Sequence, residues 1–151
     1  MMKKLITILP LLFLLNCISR NNERYVLSDH TVILKGKFFR IDSANNIFVY
    51  HFKSDTIEAV FTSFNDKGFK SPNYKKIKLH KKYTLVLNRE VKNTSCFQLN
   101  SSEESYTENN ILVWKTGMKS QYFVSCSNIT ANKINPRFTL LKYINPSPNN
   151  Y

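Results

Sequence analysis

Through most of this chain apolar and polar residues alternate with a period of two, the spacing of half-buried β-strands. The first strong run is Thr31 to Ile41, with Val32, Leu34 and Phe38 on one face and Gly36 between them. A glycine inside a strand pattern marks a bulge, so a long, curled strand is expected. Asp42 to Asn46 has the composition of a turn, because Asp and Asn tolerate left-handed backbone and bond to nearby main-chain groups. Beyond it Ile47 to Lys53 alternates cleanly, with Phe48, Tyr50 and Phe52 on one face and Ile47, Val49 and His51 on the other. Ser54 and Asp55 then turn the chain into Thr56 to Phe64. Three consecutive antiparallel strands, a meander, are predicted.

The rest of the pattern is shorter-ranged. Asn65 to Tyr74 contains Gly68 and Pro72 and reads as a loop; Lys76 to His80 and Tyr83 to Leu87 alternate. Asn100 to Asn110 is rich in Ser, Glu and Asn and is expected to be an exposed loop. Ile111 to Lys115 and Gln121 to Cys126, joined by Thr116 to Ser120 with its Gly117, are expected to form a hairpin around Trp114. Phe138 to Ile144 is the last strand, and Pro146 and Pro148 stop it. No segment has sustained helical spacing, and many short strands separated by turn signals predict an all-β barrel or sandwich.

One segment breaks the alternation. After Lys3 and Lys4 the chain is continuously apolar from Leu5 to Leu15 and reaches Cys17, the form of a secretory signal. It is shorter than the roughly 20 apolar residues needed to cross a hydrocarbon core. Residues 1–16 are therefore read as a signal peptide, 17–24 as a tether, 25–145 as one domain and 146–151 as a disordered tail.

Composition sharpens this picture. The chain has 151 residues, 42% of them hydrophobic and only 3 glycines, enough apolar material for one compact core. Its net charge is +12, and loss of the first 16 residues removes Lys3 and Lys4 and no carboxylate, leaving +10. Such a field attracts nucleic acid, anionic lipid or acidic glycan. Export argues against nucleic acid, and an Asn, Lys and Ile-rich composition is also what an AT-rich genome produces. If Cys17 is taken up by lipid, Cys96 and Cys126 are left as an even pair and a candidate disulfide, two buried thiols being the alternative. The sequons at Asn93, Asn100 and Asn128 would matter only in a eukaryotic source.

Candidate chemistry is sparse. His30, His51 and His80 are far apart and lack metal-ligand spacing, and no cofactor is implied. His51 and Glu58 could meet across the second hairpin, as a surface pair. There is no Gly-x-Ser-x-Gly elbow, no phosphate-cradling glycine loop and no carboxylate dyad. The best candidate binding surface is Lys67, Lys70, Lys75, Lys76, Lys78, Lys81 and Lys82 with Phe69 and Tyr74 interleaved, since basic groups beside rings can track an anionic polymer. A solvated loop whose charge discourages edge pairing is the competing reading. The stripe Phe48, Tyr50 and Phe52 is either core or a binding face.

Leu34 to Ser43, Asn45 to Tyr50, Lys76 to Leu79 and Lys82 to Leu87 together resemble small bacterial envelope lipoproteins with an OB-like β-barrel. The likeness covers Thr31 to Leu87. It implies a curled first strand, a three-strand meander and later strands closing the sheet; the helix often found before the fourth strand has no matching pattern here. Leu14-Leu15-Asn16-Cys17 resembles a lipobox, with Asn16 where Gly, Ala or Ser is usual. The resemblance implies cleavage before Cys17, a thioether-linked diacylglycerol and stable anchoring by two or more chains, in the cell membrane or outer membrane; a conventional cleavage near Ser19 would give a secreted protein. The expected function is a monomeric, non-catalytic binding or structural module with an anionic glycan, lipid or protein partner. The alternative is a secreted inhibitor or immunity-type protein acting on an enzyme.

Overall fold

The structure, a computed structural model, describes residues 22–90 and 104–142. The signal segment, Cys17, Cys96 and the proline-containing tail lie outside the described residues, as do the sequons at Asn93 and Asn100.

Thirteen strands and no helix make up the described chain. They are β1 (Glu23–Leu27), β2 (Thr31–Ala44), β3 (Ile47–Ser54), β4 (Glu58–Phe64), β5 (Lys75–Lys76), β6 (Lys82–Asn88) and β7 (Ser105–Glu108), followed by β8 (Ile111–Lys115), β9 (Gln121–Tyr122), β10 (Ser125–Cys126), β11 (Ile129–Thr130), β12 (Lys133–Ile134) and β13 (Phe138–Lys142). The predicted meander is present as β2, β3 and β4, paired antiparallel. Its first turn is the two residues Asn45 and Asn46, both at positive φ (46° and 63°), the backbone a tight hairpin requires and one that Asn accepts.

The main sheet has the order β10-β6-β2-β3-β4-β9, and its two edge strands belong to one continuous stretch, Gln121 to Cys126. That stretch starts parallel to β4, crosses over through Phe123 N–H to the Val60 carbonyl (2.9 Å) and Val124 N–H to the Asn88 carbonyl (2.9 Å), and ends antiparallel to β6. It thereby curls the sheet into a small all-β barrel, with this stretch bridging β4 and β6. No helix precedes β6. A three-stranded sheet, β11-β12-β5, occupies that region of the fold instead.

Rings dominate the barrel core. Phe38 meets Tyr50, Phe52 and Phe61 edge-on, and Tyr50 stacks on Phe61 at 5.1 Å between centroids. Leu34, Leu85, Leu87, Phe123 and Ile134 fill the space around them. Each such side chain contributes about 1.5–3 kcal/mol by leaving water. The stripe on β3 is therefore core, with Tyr50 and Phe52 fully buried and Phe48 packed at its margin. The opposite face of β3 is buried too: Ile47 and Val49 pack with Val60 and Val113 beneath β8.

Two expectations are corrected. The hairpin partner of β8 is β7, because Asn109 and Asn110 adopt positive φ (48° and 63°) and make a second two-residue turn inside the segment expected to be loop. Gln121 to Cys126 is thereby released to close the barrel. The two Asn-Asn turns also dock on each other: Asn45 Nδ2 donates to the Asn109 carbonyl and Asn109 Nδ2 to the Asn45 carbonyl, each at 2.9 Å. Second, the bulge in β2 falls between Phe38 and Arg40 and not at Gly36. Gly36 is instead a point of close approach, where an added Cβ would stand 2.1 Å from the Lys53 carbonyl oxygen. Cys126 is a free, buried thiol among the described residues, and Cys96, its expected partner, lies outside them. The Cys126 sulfur is held in the core, donating to Asn128 Oδ1 at 3.2 Å.

Candidate functional site

A groove of about 900 Å³ lies where β2, β3 and β6 run side by side next to the segment from Lys75 to Lys82. Eight lysines line it: Lys35 and Lys37 of β2, Lys53 of β3, Lys75 and Lys76 of β5, Lys78 and Lys81 of the strap that follows, and Lys82 of β6. Among the residues lining it, Asp55 is the single carboxylate. All eight lysines are exposed, and of them Lys53 pairs with a carboxylate, Glu58 Oε1 at 3.3 Å.

The strap is held in place along its length. Ile77 is buried in the core and its N–H donates to the Asn132 carbonyl at 3.0 Å. Lys78 N–H donates to the Tyr83 hydroxyl at 3.0 Å. His80 adopts positive φ (63°) and its N–H donates to the Phe38 carbonyl at 2.8 Å. Apolar anchoring on one side thus turns the intervening lysines outward onto the groove wall. Phe39, displaced by the bulge, and Tyr83 supply aromatic surface, and Ser54 and Thr84 supply hydroxyls.

Of the nine residues proposed from sequence, the structure brings Lys75, Lys76, Lys78, Lys81 and Lys82 together in this groove. Lys67 and Lys70 stand exposed on the preceding loop and do not line it. Phe69 and Tyr74 pack edge-on at 4.9 Å, with Lys133 Nζ 5.5 Å over the Phe69 ring and the Tyr74 hydroxyl donating to Glu23 Oε2 at 3.0 Å. These rings fasten the loop to β1 and β12. Lys35, Lys37 and Lys53 were missed because they lie on two strands distant from the lysine-rich segment in sequence. Their meeting depends on register, and the signal available was Gly36 between two lysines.

Other polar clusters do different work. His51 and Glu58 do not meet: His51 Nε2 lies 2.8 Å from Arg40 Nη2 and 3.2 Å from Asp42 Oδ2, whereas Glu58 Oε1 pairs with Lys53 and Lys119 at 3.3 Å each. Burial and the Arg40 guanidinium hold the His51 imidazole below its usual pKa, against the pull of Asp42. Among the described residues, the side-chain hydrogen-bond partners of His51 are Arg40 and Asp42, neither of them a hydroxyl or thiol. Burial pushes the Cys126 thiol up to about 12, so it is a packed core group and not a nucleophile. Among the described residues, no three His, Cys, Asp or Glu side chains converge as metal ligands would.

Asn128 is fully buried, so the third sequon is closed to modification in the folded chain. Its side chain makes four hydrogen bonds: Oδ1 accepts from Val86 N–H (3.0 Å) and the Cys126 thiol, and Nδ2 donates to the Thr84 (2.9 Å) and Asn135 (3.2 Å) carbonyls. An asparagine here acts as a short extra strand beside β6, steadying the groove wall from behind. No protein-family model, curated protein or solved structure matches this chain.

Proposed function

We propose that this protein is a non-catalytic binding module of the bacterial cell envelope, tethered through acyl chains on Cys17, that holds an anionic partner in the lysine groove. One observation carries the reading: eight lysines to one carboxylate surround a single concave surface, and that surface is built from strands and a pinned strap. Spreading positive charge over the whole surface would satisfy solubility. Concentrating it in a cleft costs stability through self-repulsion and gains binding, because a concave site focuses the field on a ligand. The lipobox-like Leu14-Leu15-Asn16-Cys17 and the apolar run before it support the tether.

The test is retention of the protein on anionic glycan and on vesicles containing anionic lipid, with Lys37, Lys78 and Lys81 replaced together by Glu. Retention is expected to fall at least tenfold while the far-UV spectrum stays that of the parent. Unchanged retention refutes the groove as a binding site. Peptide mass spectrometry of membrane-fraction protein tests the tether separately, with a diacylated or triacylated Cys17 expected and an unmodified start after Cys17 refuting it.

A further inference from the structure

The two ladders made by β2 overlap only at its corner: it pairs with β6 up to Lys37 and with β3 from Gly36 onward. Lys37 therefore has a lysine directly opposite it on each side, Lys53 of β3 and Lys82 of β6. Residues directly opposite one another project to the same face, and neighbouring strands are about 4.8 Å apart, so three ammonium-bearing stems stand in one row about 10 Å across. Like charges placed this way destabilise a sheet. Glu58 offsets one end only, pairing with Lys53 and sharing that charge with Lys119. Among the described residues no carboxylate pairs with Lys37 or Lys82.

No arginine lines the groove. Lysine is a compact point charge without the planar fork that matches one carboxylate or phosphate in two places. The row consequently reads the spacing of negative charges and not the shape of any one of them. A single small anion meets one exposed lysine at a time, a weak contact. A chain of anions reaches all three, and its second and third contacts form at high effective concentration.

We propose that the groove takes a linear polyanion, a chain bearing phosphate or sulfate groups at intervals near 5 Å, laid across the strands along Lys53, Lys37 and Lys82. Lys78 and Lys81 of the strap close over it from the side. This deepens the reading of the groove as an anion site and rests on it.

The experiment is calorimetric titration of the protein with inorganic polyphosphate, a sulfated heparin hexasaccharide, orthophosphate and vesicles of phosphatidylcholine with phosphatidylglycerol, at equal total anion. Polyphosphate or the hexasaccharide is expected to bind at least tenfold tighter per anionic group than orthophosphate or vesicles, and the stronger of the two identifies the anion. Lys37→Gln is expected to weaken that binding about tenfold, Lys37→Arg to restore most of it, and Lys67→Gln, outside the groove, to change it less than twofold. If vesicles or orthophosphate bind as tightly per group and Lys37→Gln weakens them, the groove is an anion site but the linear polyanion is wrong. If Lys37→Gln and Lys67→Gln weaken binding equally, or nothing binds, both the polyanion and the groove reading are overturned.

Discussion

Replacing Asn128 with Leu tests how the barrel is completed behind the groove. Asn128 is fully buried and supplies partners to Val86 N–H and to the Thr84 and Asn135 carbonyls. Leucine is of similar size, so it leaves those three backbone groups dry and unpaired. Each orphaned buried group costs about 1–3 kcal/mol, and the added apolar burial returns about 1–2 kcal/mol. Over three groups the net loss is about 1–8 kcal/mol, a large fraction of a domain stability of about 5–15 kcal/mol. In urea the midpoint should fall by that loss divided by the slope, with the slope unchanged. Asn128→Ala separates hydrogen bonding from packing. It removes the same side-chain partners but leaves room where a water with two to four polar neighbours can sit. Alanine should therefore cost less than leucine, the reverse of what filling a core would give. A leucine variant within about 1 kcal/mol of the parent, or an alanine variant less stable than it, refutes the account.

Gly36→Ala should destabilise by about 2–3 kcal/mol or more in a thermal melt, since the new Cβ would lie 2.1 Å from the Lys53 carbonyl oxygen and backbone has to move; a melt unchanged from the parent would mean the corner of β2 is looser than described. His51, held below its ordinary value of 6.5 by burial and Arg40, stays neutral in the fold, so its contribution is complete above the unfolded value and is lost as pH falls through 6.5 towards the lower folded value. Its ring resonances should titrate with a midpoint below 6.5, and His51→Gln should flatten the stability profile over that window; a midpoint at or above 6.5 contradicts this. Cys126, buried with its thiol pushed up to about 12, should resist a disulfide reagent at pH 8 in the folded protein and react fully in urea. Rapid labelling of the Cys126 peptide without denaturant would show that the core opens there.

The meander was legible because Phe48, Tyr50 and Phe52 keep strict alternation and Asn45-Asn46 is a tight-turn sequence. What failed was pairing between distant segments. Gln121 to Cys126 is too short and too weakly patterned to announce that its first half pairs with β4 and its second with β6, and it was assigned to the nearest strand in sequence. Asn109-Asn110 carried the same turn signal as Asn45-Asn46 but was obscured by the Ser and Glu-rich residues before it. For the groove, contiguous lysines were legible as charge and half of the site was not. Lys35, Lys37 and Lys53 join it only through the register of β2 with β3 and β6, a property of two ladders and not of any one window. Phe69 and Tyr74 show the converse, since aromatic residues among lysines were read as a stacking surface and are used to fasten a loop.

The described chain begins at β1 and ends at β13, and these two strands pair in parallel over five consecutive positions, from Glu23 with Phe138 to Leu27 with Lys142. A pull on the leading end of β1 against the trailing end of β13 therefore runs along the ribbon and not across it. The backbone bonds of all five rows take up that load at once, where an antiparallel terminal pair pulled from its open end would unzip row by row. Tyr25 packed edge-on against Phe138 adds friction to the same sliding motion. Force applied between the leading end of β1 and the trailing end of β13 thus meets this pair in shear, the direction in which a parallel ribbon resists as a unit.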